Sequence, residues 1–138
     1  MNKNLLLLIT TPIVILGLSF LIAPKASAFE PGNIIDDNVF THANSMSVDQ
    51  IQSFLNSKVP TCDTWGTQRS EFGGGTRRQW AEARGHSAPF TCLKDYQENG
   101  LSAAQIIYNK SREFSINPQV MLVLLQKEQS LVTDTWPI

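Results

Sequence analysis

Glu128 is the residue in this sequence best placed for acid–base chemistry, because of what precedes it. The stretch Asn117–Leu131, NPQVMLVLLQKEQSL, predicts one helix: Asn117 suits the N-cap, Pro118 the first helical position, and Ile116 can staple against Met121. From Val120 to Leu125 the run is apolar on nearly every side, the pattern of a helix buried in a domain centre. At about 100° per residue, Glu128 falls on the stripe of Met121, Leu124 and Leu125, so the apolar face ends in a carboxyl group. Desolvation beside those side chains and the negative end of the helix dipole are both expected to raise its pKa. A carboxyl held protonated near neutral pH is what a general acid requires. The competing reading is that Glu128 points into solvent, as its neighbours Lys127 and Gln129 do, and spacing alone leaves both open.

A second group of candidates lies in the irregular stretch Thr61–Thr91. Trp65, Phe72, Trp80 and Phe90 alternate there with Arg69, Arg77, Arg78, Arg84 and His86, interrupted by Gly73-Gly74-Gly75. Trp65 and Trp80 are candidates for a sugar-binding floor, since an aromatic face can stack on the C–H surface of a pyranose; equally, they are candidates for the core of a small lobe. Asp134, the one acidic residue after Glu128, is the candidate second carboxylate. Asp36-Asp37 reads as a solvated turn, because adjacent side chains diverge in extended chain. Cys62 and Cys92 are the only cysteines. With no C-x-x-C or H-x-x-x-H spacing to recruit His42 or His86 to a metal, they read as a disulfide, and no metal or cofactor is expected. Closing that loop would stabilise the fold by about 3.6 kcal/mol in the chain-entropy model.

These residues need elements to position them. Ser47–Lys58 predicts a helix with a Ser47/Gln50 capping box, a Met46–Ile51 staple, an apolar stripe of Val48, Ile51 and Leu55, and a stop at Pro60. Thr76 with Gln79 opens a short helix over Arg77–Arg84, ended by Gly85. Leu101–Phe114 repeats the same start with Ser102 and Gln105, and carries small residues that permit close helix approach. The Asn109-Lys110-Ser111 sequon lies inside that helix and reads as chance. The short connection through Ser115 favours a packed, antiparallel helix pair with the Glu128 helix. Ahead of them, Phe29–Asn44 reads as an extended leading segment after a Pro31-Gly32 turn. The expected class is therefore mainly α, with helical residues 101–138 preceded by a disulfide-tied irregular lobe at 61–100 and by a segment and helix at 29–60.

Residues 1–28 have the pattern of a secretory signal peptide: a basic start, an apolar run over Leu5–Ile22, and Ala26-Ser27-Ala28 before an expected cut at Phe29. An uncleaved membrane anchor is the alternative, and it would be the chain's one contact with a membrane. Both predict a secreted or cell-surface protein. Removing Met1–Ala28 leaves 110 of the 138 residues and takes the formal net charge from −1 to −3, because Lys3 and Lys25 are lost. That balance excludes the basic footprint of nucleic-acid binding and suits a neutral or zwitterionic polymer.

The run Ser115-Ile116-Asn117-Pro118-Gln119-Val120-Met121-Leu122-Val123-Leu124-Leu125-Gln126-Lys127-Glu128-Gln129-Ser130 resembles the catalytic helix of the lysozyme-like superfamily, as found in lytic transglycosylases and goose-type lysozymes. There a short Ile-x-Pro lead opens an apolar helix ending in the catalytic glutamate, usually followed by Ser-Gly, where this chain has Gln129-Ser130. The chain is also similar to exported bacterial proteins that begin Phe29-Glu30-Pro31-Gly32-Asn33-Ile34-Ile35 and carry Ser47-x-x-Gln50-Ile51-Gln52-Ser53-Phe54-Leu55 and Thr91-Cys92-Leu93-Lys94-Asp95-Tyr96 blocks. The resemblance over Ser102–Ile138 implies a partial lysozyme-like helical domain, with Glu128 protonating the glycosidic oxygen in peptidoglycan. It lacks the Gly-Leu-Met-Gln-like segment and further helices that usually follow, so the expected enzyme is a partial one. A non-catalytic module binding peptidoglycan or another cell-surface glycan is the alternative, and an export product without folded function the third.

Overall fold

The computed structural model describes residues 34–138; the signal-peptide and cleavage readings fall outside them. Residues Ile35–Ile138 form one compact unit. Among the described residues no helix is long and apolar enough to cross a membrane. The elements are α1 (Asp37–Phe40), α2 (Val48–Lys58), α3 (Arg77–Glu82), a 3-10 turn (Leu93–Asp95), the antiparallel pair β1 (Gln97–Glu98) and β2 (Leu101–Ser102), α4 (Ala103–Glu113) and α5 (Pro118–Gln129). The fold is mainly helical, as expected.

Three helices start on the same device. Ser47, Thr76 and Ser102 each accept from the backbone N–H three residues on, while Gln50, Gln79 and Gln105 accept from the cap's own N–H at 2.8, 2.9 and 2.8 Å. These reciprocal bonds satisfy N–H groups that a helix start leaves without partners. α5 starts differently. Asn117 is buried, and its Oδ1 accepts from Gln119 N at 2.9 Å and from Ser45 Oγ at 2.6 Å. Its Nδ2 donates to Val39 O at 2.9 Å and its backbone N–H to Phe40 O at 2.7 Å. One side chain thus caps α5 and docks α1, which has no buried residue of its own. This helix in the leading segment was not foreseen; Asp36 caps it by accepting from Asn38 N.

The main core joins α2, α4 and α5 through Ile51, Leu55, Ala103, Ala104, Ile107 and Leu122, closed by Val132. Ala103 and Ala104 let helices approach closely, and buried Ser111 donates to Met121 Sδ at 3.1 Å. The sequon's Ser111 is therefore a packing residue. A second core belongs to the lobe: Ala81, Phe90 and Trp136, with Trp80 and Ala88 packed against them. Cys62 and Cys92 form the expected disulfide, with Cα atoms 5.9 Å apart. Trp136 comes from the C-terminal segment, so that segment helps build the lobe.

α5 departs from the expectation of a helix covered on all sides. Leu122 is buried, but Val123 and Leu124 are 63% and 50% exposed. Its neighbours among the described residues cover one face only, since burial follows Leu122 toward α2 and α4. Between α2 and α5 lies an open apolar groove of about 460 Å³, lined by Met46, Phe54, Leu122, Val123 and Val132 with Lys58 at its edge. The helix ends where Ser130 adopts φ 56°, its N–H donating to Gln126 O at 2.9 Å. A left-handed residue with a Cβ is strained there, so Ser130→Gly should stabilise by roughly 0.5–1 kcal/mol, read as a rise in thermal midpoint. No change would show that the turn already relieves that strain.

Candidate functional site

Glu128 sits in the last turn of α5 and is exposed. Met121 and Leu125, which share its stripe, are half-buried, and Leu124 is half-exposed. The cover that would desolvate the carboxyl is not supplied by the described residues. Among them, none donates a hydrogen bond to Glu128 or forms an ion pair with it. Asp134 is differently placed. It lies in the turn after α5, where its Oδ1 accepts from Trp136 N at 2.8 Å and its N–H donates to Ser130 O at 2.9 Å. Its first job is to shape the approach to Trp136.

The two candidate tryptophans of the lobe part company. Trp80 is enclosed by other groups: Phe72 at 4.7 Å between ring centroids, Trp136 edge-on at 5.8 Å, and the Arg84 guanidinium 3.6 Å above its ring. Those contacts make Trp80 part of the aromatic core. Trp65 is 58% exposed and lines a separate pocket of about 330 Å³ with Gly66, Thr67, Thr76 and Arg78. Neither Glu128 nor Asp134 lines that pocket.

Sequence reasoning missed the group that holds the lobe in shape. Asp63, 5% exposed, accepts at Oδ1 from Thr67 N (2.8 Å) and Thr67 Oγ1 (3.2 Å), and at Oδ2 from Gln68 N (3.1 Å). Arg77 Nη1 lies 3.6 Å from Asp63 Oδ2, and Arg77 also bonds both oxygens of Glu71 and the hydroxyl of Thr135. Its guanidinium stands 5.3 Å over the Trp136 ring, and Asp63 N donates to Thr135 O at 2.8 Å. Burial alone would raise the Asp63 pKa. The N–H groups of Thr67 and Gln68, the Thr67 hydroxyl and Arg77 together outweigh it and hold the carboxyl below its ordinary value. Glu71 is held low by its own backbone N–H and by Arg77. A Cys62-Asp63 start with Thr67 four residues on was the available signal, the kind of short polar turn Asp often builds.

Among the described residues no cluster of three His, Cys, Asp or Glu side chains is arranged to hold a metal ion. Compared with known proteins, residues 33–137 match the family described as LasA, N-terminal domain. No curated protein and no solved structure matches the chain. The match spans α1 through the Trp136 segment, and the chain therefore belongs to the LasA N-terminal domain family.

Proposed function

We propose that the protein is an exported bacterial domain that cleaves the glycan of peptidoglycan, with Glu128 as general acid and then general base. The observation that carries the reading is the position of Glu128 in the last turn of a capped apolar helix whose sequence resembles the lysozyme-like catalytic helix; in this scheme the bound glycan itself supplies the cover over the carboxyl. The disulfide and the family assignment support export. In this scheme Glu128 gives its proton to the glycosidic oxygen between N-acetylmuramic acid and N-acetylglucosamine as the C1–O bond breaks. It then takes the proton of the attacking hydroxyl. Asp134 is committed to its turn, so the substrate's own C6 hydroxyl, closing a 1,6-anhydro ring, fits better than water activated by a second carboxylate.

The test is the release of soluble muropeptides from purified peptidoglycan by the protein with its disulfide formed. Glu128→Gln should lower the rate about a hundredfold or more, the usual scale of a lost general acid, without changing the thermal midpoint. A second reading, a non-catalytic glycan-binding module, is favoured by the exposed ring of Trp65. It predicts that wild type and Glu128→Gln both sediment with peptidoglycan and that neither releases anything.

A further inference from the structure

We propose that the pocket between Trp65 and Arg78 is a binding subsite for a pyranose that carries a carboxylate. The inference stands apart from Glu128 and from cleavage, because no residue of the proposed reaction lines the pocket. At about 330 Å³ it lies at the lower end of the size range of small-molecule sites.

The first observation is that Trp65 is exposed on a backbone held from both sides. Its neighbour Thr64 accepts from Phe90 N at 2.8 Å. On the other side, Gly66 N donates to Asp63 O at 2.9 Å and Gly66 O accepts from Arg78 N at 2.8 Å. Gly66 has φ +59°, and a Cβ there would meet Arg78 N at 2.6 Å, so the loop is laid directly against the start of α3. Asp63 fixes the next two residues through Thr67 N and Gln68 N. A large apolar face set in water on backbone fixed from both sides has already met the backbone share of the ordering cost of binding. Surface tryptophans that serve the core are instead packed, as Trp80 is.

The second observation is the charge beside it. Arg78 Nε donates to Glu82 Oε1 at 2.8 Å, which orients the guanidinium. Its Nη groups make no hydrogen bond with any described residue. A planar donor pair beside an aromatic face can hold a carboxylate in two parallel bonds while the ring stacks on the sugar's C–H surface. The Thr67 hydroxyl already donates to Asp63, whereas Thr76 Oγ1 accepts from Gln79 N and keeps its own O–H for a ligand, so Trp65 and Arg78, with Thr76 as a further donor, set the selectivity. Glu82 is the carboxylate that competes with the ligand.

The experiment follows the Trp65 indole N–H by NMR during titration with N-acetylmuramic acid, galacturonic acid, N-acetylglucosamine and acetate, using the full chain with its disulfide formed. The carboxylated sugars should bind about tenfold more tightly than N-acetylglucosamine, the scale of one exposed charge-assisted contact. Whichever of the two binds better identifies whether the carboxylate belongs on an ether substituent at the C3 oxygen or on C6. Arg78→Gln should erase the preference, Trp65→Ala should abolish binding of every sugar as read on the Gly66 and Thr67 backbone amides, which are followed in every variant, and Glu82→Gln should tighten the acidic sugars by about two- to threefold. The other amide signals report that each variant stays folded. Equal binding of the neutral sugar, a preference that survives Arg78→Gln, an equal shift from acetate alone, or no shift with any probe would each overturn the proposal.

Discussion

Trp136→Ala is expected to destabilise the protein by about 3–5 kcal/mol, the range for deleting a buried tryptophan. Trp136 is 4% exposed and is the piece of the C-terminal segment that enters the lobe. Phe90 meets its ring edge-on at 5.8 Å, Trp80 does the same at 5.8 Å, and Arg77 covers it at 5.3 Å. Removing the ring leaves a cavity against three groups that cannot all collapse into it, because the disulfide and the α3 backbone hold them apart. The indole Nε1 is buried and has no hydrogen-bond partner among the described residues. Trp136→Phe should cost less, about 1–3 kcal/mol, because it keeps an aromatic ring against Phe90 and Trp80 and leaves a smaller cavity. Chemical denaturation of both variants checks this. Equal losses for Ala and Phe would mean that the N–H, and not the ring, holds the segment.

Asp63→Asn is expected to cost about 2–4 kcal/mol at neutral pH, through breaking one side of a buried charge network. An amide has one acceptor oxygen, whereas Asp63 uses both: Oδ1 for Thr67 and Oδ2 for Gln68 N and Arg77. The new NH₂ group would face an N–H or a guanidinium, leaving donors opposed. The pH dependence has a definite sign. The folded-state pKa of Asp63 is lowered from 3.8, so its contribution is present above the unfolded value and is lost as pH falls through the folded value. The stability gap between wild type and Asp63→Asn should thus be constant near neutrality and narrow below about pH 4. A gap that stayed constant into acid would show that geometry, and not charge, accounts for the loss.

How much of this could be read from the residues depended on how local the signal was. Ser47/Gln50, Thr76/Gln79 and Ser102/Gln105 announced their capping boxes because both partners lie within four residues. The Cys62–Cys92 bridge was legible because no other cysteine competes. α1 was missed because its support is Asn117, 77 residues beyond Phe40 in the chain, and four residues carry no usable period. The roles of Trp65 and Trp80 could not be separated from composition, since exposure depends on which aromatic Trp136 reaches. The α5 run read as buried all round because apolar content reports the tendency to be covered, not which neighbours cover it; Val123 and Leu124 show the difference. Glu128 was singled out as a candidate through its position on a stripe; the helix places it in its last turn, while the surroundings of its carboxyl depend on tertiary packing.

The most direct measurement of the central claim is mass spectrometry of the soluble products formed when purified peptidoglycan is incubated with the oxidised protein and, in parallel, with Glu128→Gln. The account predicts muropeptides with 1,6-anhydro ends from the wild type and none above background from the variant. Intact glycan strands after incubation with a folded wild-type protein, or equal release by both proteins, would contradict it.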